Sequence, residues 1–587
     1  MTNKRDEKNA TDQSAKETLQ AVGVGRRNVL KLGVGAGAVA AAQMFGVAQE
    51  GSRKDPFDLA YATDWGDKFQ PISDSMFSRG GKPVPGGPPY LTPRGPQHRT
   101  AKYGDFMNTS GRSYGNGPMD ETTRKIVSFA KSFKVELTDA IVKDAIGIMF
   151  VDTLGSAIAG FETDSLRCAA KLAKLYTGAA LQSTVWGYGI QATPDIAAFV
   201  NSCAVRHYDN NSAGQHETDQ VSGILAVAEA LHKSGAETLT ALVLFWEVFG
   251  ALLGARYPVG SPGDRGPSLG TIDNHTHAAA TACACAWLMG LNEDQMANAI
   301  SLAVISNISL YIGHWEEPDS MSKSNHDAEL CRSGVFAALQ ARAGITGPGS
   351  PFDGAGGLMD VITGRFEVTL PCRIKNDVDG NPTIPLGPGE NEYVVQSLSY
   401  KRHPGNGGFG MMPIIPEFRK FCKIEHIESI HMDLSSWGDG AGPGKFDPLN
   451  DDTADHSIQY GLVWALMHGD LFIDAYEPEN LRDPKVCALL AKVTQREVPG
   501  AGGVGSGGPV TIKAKDGREL TLKSQGYKER MTVEEVHKKY ERHCAYRGLS
   551  IAQRDHIRSS WMDIRKVKDM SVLIRETMAH YGKPKAL

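Results

Sequence analysis

Four short stretches gather residues able to move protons or hold anions, each beside an apolar run. Arg206-His207-Tyr208-Asp209-Asn210-Asn211-Ser212, then His216-Glu217-Thr218-Asp219, lead into GILAVAEAL. Asp273-Asn274-His275-Thr276-His277 heads a second apolar run, and Ser322-Lys323-Ser324-Asn325-His326 a third. The fourth, Lys401-Arg402-His403-Pro404, follows a stretch over 393–400 that reads as a strand. Acid–base groups at the start of a buried helix sit where its dipole favours an anion. Removing a carbon-bound proton next to a carboxylate needs a base, a cation for the developing charge and an acid for the departing hydroxyl. Imidazoles suit proton transfer near neutral pH, and lysines suit the cationic task. The same residues also fit zinc-type ligation, by His207, Asp209, His216 and Asp219 or by Asp273, His275 and His277. Against that reading, Gln220 stands where a His-Glu-x-x-His helix would need its second His after His216.

The elements that must carry these loops are mostly helices. From 121 to 393 the runs PDIAAFVNSCAVRHY, GILAVAEALHKSG, ETLTALVLFWEVFGALLGAR, HAAATACACAWLMGL, EDQMANAISLAVISNIS and AELCRSGVFAALQARAG follow one another. Several are Ala-rich and apolar nearly all round, which predicts interior helices of a large all-α domain. Gly235, Gly290 and Gly344 stand near run ends, where C-cap glycines fall. Over 394–527 the period shortens. Residues 429–434 read as a strand, and 510–515 with 519–522 as a hairpin about Asp516-Gly517. With helical runs at about 411–422 and 454–468, this predicts a smaller α+β domain. It is inserted before C-terminal helices over 528–587 that pack back on the helical domain, so the fold class is mainly α with an α+β part.

The first 120 residues read differently. Arg26-Arg27 followed by an uncharged, Gly/Ala-diluted stretch over 32–49 is the layout of a twin-arginine-type signal peptide over 1–49. That predicts a periplasmic protein, the alternative being a cytoplasmic one with an Ala/Gly linker. The stretch is too weakly apolar for a stable membrane span. Residues 50–120 are rich in Pro and Gly and read as an extended arm. In the whole chain 62 Lys and Arg face 67 Asp and Glu, a net charge of −5 that gives no footprint for nucleic acid. Nine scattered cysteines with no Cys-x-x-Cys argue against a disulfide scaffold or a clustered thiolate site. Glycine is abundant, at 65 of 587 residues, but neither 33–37 nor 500–508 has the context of a phosphate loop.

Jointly, five stretches resemble the MmgE/PrpD family over about 123–580. They are STVWGYGIQATPDIAAFVNSCAVRHYDNN, HETDQVSGILAVAEAL, the Lys323 loop with AELCRSGVFAALQARAGITGP, SYKRHP, and TADHSIQYGLVWALMHGDL. The resemblance implies a helical domain with a smaller lid, a homodimer, and a lyase that uses no cofactor. Its small-molecule substrate would be a 2-methylcitrate-like di- or tricarboxylate bound between helical domain and lid. Related members decarboxylate cis-aconitate or epimerise an aspartate-derived imine. Catalytic roles are implied for Asp209, His216, Lys323, Lys401 and, by a looser match, His275. Asp219, His326, Arg402, His403 and His456 are the candidates for substrate binding. On this reading Lys323 and Lys401 clamp carboxylates, His216 with Asp209 or Asp219 transfers a proton, and His275 serves as the second proton-transfer group. Two places depart from the family pattern. His216-Glu217-Thr218-Asp219 replaces a usual His-Pro-Ser-Asp, and PGNGGFGMM follows where a His is common. A metal-dependent His/Asp enzyme and a non-catalytic exported carboxylate-binding protein stay open beside the lyase reading.

Overall fold

The computed structural model describes residues 119–581, apart from 213–216, 257–274, 308–309, 311–317, 373, 376–383, 386–391, 406–409, 435–442, 499–507, 524–525 and 528. The signal-like segment over 1–49, the arm over 50–120 except its last two residues, His216 and Asp273 lie outside the described residues, as does the side chain of His275.

Helix α1 (Glu121–Ser132) begins on Asp120, whose carboxylate accepts from Thr123 N at 2.7 Å and from Phe352 N at 2.8 Å. A π-turn leads into α2 (Ile148–Gly160), buried at every residue. After α3 (Asp164–Ala173) a small hairpin, β1 (Ser183–Val185) with β2 (Ile190–Ala192), precedes α4 (Pro194–Arg206). Then come α5 (Val221–Ala230), α6 (Gly235–Arg256), α7 (His275–Leu288), α8 (Glu293–Ser306) and α9 (Ser322–Arg342). Ala278, Ala280, Ala282 and Cys283 of α7 have no exposed surface, as expected of a helix with no polar face. Within α6, Gly235–Ala255 is long and apolar enough to cross a bilayer, but 89% of its most apolar window is buried inside the protein. It is a core helix.

The second part opens with α10 (Ile415–Phe421) and β3 (Ile427–Leu434), followed by α11 (Asp451–Asp455), α12 (Ile458–His468) and α13 (Pro484–Leu490). Strands β4 (Val493–Glu497), β5 (Pro509–Ala514) and β6 (Glu519–Lys523) complete a sheet of order β4-β3-β5-β6, parallel between β3 and β4 and antiparallel elsewhere. A register shift between Ile427 and Ser429 lets Ile427 and Ile430 both face inward although they are three apart. Met411, Phe418, Ile430, Met432, Leu462 and Ile512 build a hydrophobic cluster of their own. The chain then returns through α14 (Val533–Tyr546), α15 (Ile551–Met562) and α16 (Met570–Tyr581). Their Val536, Tyr540, Trp561 and Ile574 belong to the cluster formed by α1–α9. The architecture is mainly α with a smaller α+β part.

Two local expectations are corrected. Residues 393–400 do not form a strand: Val394–Ser397 is a 3₁₀ turn. The reason is Glu247 of α6, whose carboxylate takes the amides of Val394 at 2.9 Å and Cys372 at 2.8 Å in place of a strand partner. Gly290 and Gly344 do adopt positive φ at helix ends, but Gly235 opens α6 instead of closing α5. A Cβ on Gly235 would lie 1.8 Å from Ile564 O, so close backbone approach requires glycine there.

Candidate active site

The loop after α4 turns sharply at Asp209, whose φ of 46° is a left-handed conformation that few non-glycine residues take. The 206–212 loop lies beside the 400–405 segment. Tyr208 O accepts from Gly405 N at 2.8 Å, Asn211 O accepts from Lys401 N at 3.1 Å, and Ser212 bridges Tyr400. Lys539 of α14 ties the two together. Its Nζ donates to Asn210 O at 2.7 Å and to Lys401 O at 2.9 Å, and pairs with Asp152 Oδ1 at 2.5 Å. Gly405 has a φ of 79°, and a Cβ there would stand 2.1 Å from Asp455 O. Only glycine lets this segment rest against the end of α11.

Around that seam the charged side chains form a buried line. Lys323, in the first turn of α9 and with no exposed surface, donates to His207 O at 3.0 Å and to Asp455 Oδ2, with Asp452 Oδ1 at 3.4 Å. Asp455 Oδ1 accepts from His456 Nδ1 at 2.7 Å, and His456 Nε2 lies 4.0 Å from Asp209 Oδ2. Asp209 Oδ1 is held by Lys401 Nζ at 2.6 Å and Arg206 Nη1 at 3.0 Å. Arg206 Nε reaches Asp327 Oδ2 at 2.9 Å. Lys323 and Arg206 come from the helical cluster, Asp452, Asp455 and His456 from the sheet-bearing part.

Burial sets the proton balance. It pushes the Asp455 carboxyl up to about 6 even with Lys323 against it. Burial, with Lys323 adding to it, holds the His456 imidazole well below its usual range, so the ring is neutral near pH 7. A neutral ring that donates through Nδ1 to Asp455 has Nε2 as its basic nitrogen. This is the geometry of a base oriented by a carboxylate. Burial and the neighbouring Asp327 raise Asp219 well above the carboxylate range, and it accepts from Asn211 Nδ2 at 2.7 Å. Asp451 goes the other way. Burial opposes its charge, but His207 at 2.9 Å and Lys323 hold it down at about 2.

The structure therefore brings together Asp209, Lys323, Lys401 and His456, with Asp219 3.9 Å from Arg206 Nε. Neither lysine is bare: Lys323 already faces Asp455 and Lys401 faces Asp209. His326 Nδ1 sits 3.7 Å from Asp327 Oδ1, one turn beyond Lys323. Arg402 and His403 are engaged elsewhere. Arg402 lies 4.7 Å over the Tyr527 ring and donates to Glu529 O and Glu535. His403 Nδ1 donates to Leu471 O at 3.1 Å, and Tyr527 OH donates to its Nε2 at 2.8 Å. His207 bonds Ser324 and Asp451. Arg206, Asp452, Asp455 and Lys539 were not among the site candidates. The acidic run Asp451-Asp452-Thr453-Ala454-Asp455 ahead of an apolar helix was the available signal for two of them.

Comparison with known proteins identifies the family. The chain matches the MmgE/PrpD N-terminal domain over residues 124–371 and the MmgE/PrpD C-terminal domain over 415–562. It is 24% identical over 381 residues to cis-aconitate decarboxylase of Homo sapiens, spanning 61% of this chain and 72% of that protein. The cis-aconitate decarboxylase-like protein oryM of Aspergillus oryzae is 24% identical over 490 residues, spanning 78% and 97%. A 2-methylcitrate dehydratase of Salmonella typhi is 24% identical over 405 residues, spanning 64% and 77%. With both of its domains present in order, the chain belongs to the MmgE/PrpD family.

Proposed function

We propose that the protein is a lyase that acts by proton abstraction on a 2-methylcitrate-like di- or tricarboxylate. The substrate binds where the charged line crosses from the helical part to the sheet-bearing part, which opens as a lid. The observation that carries this reading is the buried sequence Lys323–Asp455–His456–Asp209–Lys401. His456 Nε2 takes the carbon-bound proton, and Asp455 fixes the ring and balances the imidazolium that forms. Lys323 and Lys401 accept the substrate carboxylates and hold the charge that develops on one of them. Asp219, whose carboxyl is pushed up by burial and by Asp327, is the proposed acid in the same cluster. His216, five residues ahead of α5 in the sequence, and His275, the first residue of α7, are the proposed partners for the second proton transfer.

The relatives named above include both dehydratases and decarboxylases, so the leaving group is the open choice. Purified protein incubated with 2-methylcitrate, citrate and cis-aconitate, followed by enoate absorbance and product mass, decides it. Loss of water marks a dehydratase and loss of carbon dioxide a decarboxylase. Tight binding of all three without turnover overturns the lyase reading in favour of a binding protein.

A further inference from the structure

Outside the charged seam, the C-terminal helices bring three metal-type donors to one place. Glu576 and His580 are four residues apart on α16, so their side chains share one face of that helix. His556 projects onto the same face from α15, with its Nε2 at 3.2 Å from Glu576 Oε1 and its ring centroid 4.0 Å from that of His580. One donor atom from each of the three residues lies within 4.8 Å of the others. In a tetrahedral zinc site with bonds of about 2.0–2.1 Å, donors stand roughly 3.3 Å apart. The His556–Glu576 separation already has that value, and the tilted imidazoles need only side-chain rotation to converge.

The scaffold beneath is rigid and does not depend on an ion. Trp561 Nε1 donates to Thr577 Oγ1 at 2.7 Å, and Ile557, Trp561 and Ile574 are buried between the helices and the body. Gln553 donates to His580 O, and the hydroxyls of Ser559 and Ser560 donate to His556 O at 3.0 Å and 2.8 Å. The backbone that carries both imidazoles is thus fixed on either side. Other surface imidazoles of the chain, such as His232 with Asp569 and His431 with Asp433, pair with a single carboxylate. At 556/576/580 two imidazoles and one carboxylate meet, a nitrogen-rich set suited to a borderline divalent ion and poorly suited to magnesium or calcium.

We propose that His556, Glu576 and His580 form a surface site for a zinc-type divalent cation, with solvent completing the coordination. The site lies on α15 and α16 and takes no part in the proton transfer proposed above, so its test does not rest on that reading. Full-length protein stripped with chelator is titrated with zinc by calorimetry, and with cobalt(II) by visible absorption. The same titrations are run on His580→Ala and on the double variant His556→Ala/His580→Ala. Thermal melts without metal check that each variant folds, which the partial exposure of these side chains favours. The expected result is about one equivalent of zinc bound by the wild type, at least tenfold weaker binding in His580→Ala and none at this affinity in the double variant. The unfolding midpoint should rise with zinc only where the site is intact. Equal affinity and stoichiometry in wild type and double variant would overturn the proposal, as would a wild type that takes up no zinc.

Discussion

Helix α9 joins two regions built on opposite rules. Toward its C-terminal half, Leu330, Cys331, Val335 and Ala338 belong to the apolar cluster and have almost no exposed surface. In its first turns, Lys323 and Asp327 are just as deeply buried, yet they lie among Arg206, Asp209, Asp219, Asp452 and Asp455. Apolar packing gains stability at every residue it buries. Burying an ion costs several kcal/mol, and a partner returns that only when the geometry is good. A fold has no need of seven buried ionisable groups in one seam. Their presence beside an ordinary apolar interior is what marks the seam as a place for chemistry.

The sharpest break of this contrast is Lys323→Ala. It leaves Asp452 and Asp455 without their shared cation, so a stability loss of about 3–5 kcal/mol is expected from denaturant unfolding. Turnover per folded molecule should fall on the order of 10²-fold or more, and an unchanged rate would remove Lys323 from the site. Leu330→Ala, seven residues along the same helix, should cost about 2–5 kcal/mol while leaving kcat per folded molecule near wild type. If both variants lose activity alike, the two halves of α9 are not functionally distinct.

Asp455→Asn sharpens the comparison through pH. The wild-type carboxyl titrates at about 6, against an ordinary value of 3.8. Turnover should rise as pH climbs through about 6 and the carboxylate that orients His456 forms. The Asn variant should be slower and lack that rise. The stability sign is opposite. The folded state holds this proton more tightly than the unfolded chain, so stability falls between about pH 4 and 6 as the group ionises. That slope should flatten in Asp455→Asn, measured by urea unfolding across the range. At the small end, the exposed Glu534–Lys538 pair on α14 should be replaceable by alanines with no measurable change in Tm or rate.

The helices were legible because their apolar runs have few alternatives, and the 510–522 hairpin because Asp516-Gly517 names its turn. Helix α15 lies among the C-terminal helices expected over 528–587, and Ser550 and Gln553 cap it reciprocally, a pattern visible in the sequence. Residues 393–400 alternate like a strand, but a glutamate more than 140 positions away takes the amide of Val394. No local pattern contains that contact. The site shows the same limit. The family resemblance singled out Asp209, Lys323 and Lys401, and packing puts them along one buried line. Lys539, set in EEVHKKYER, looks like any solvated helical lysine until the fold brings it to two site carbonyls. His456 was a candidate for substrate binding, and the orientation of its ring depends on Asp455 and on burial that only packing supplies.

The central claim is that His456, oriented by Asp455, transfers the proton. The most direct test compares wild type with His456→Phe on whichever of 2-methylcitrate, citrate or cis-aconitate the wild type converts, at equal folded concentration checked by thermal melt. Turnover per folded molecule should fall by at least about 10²-fold. A His456→Phe variant that works at the wild-type rate would contradict it.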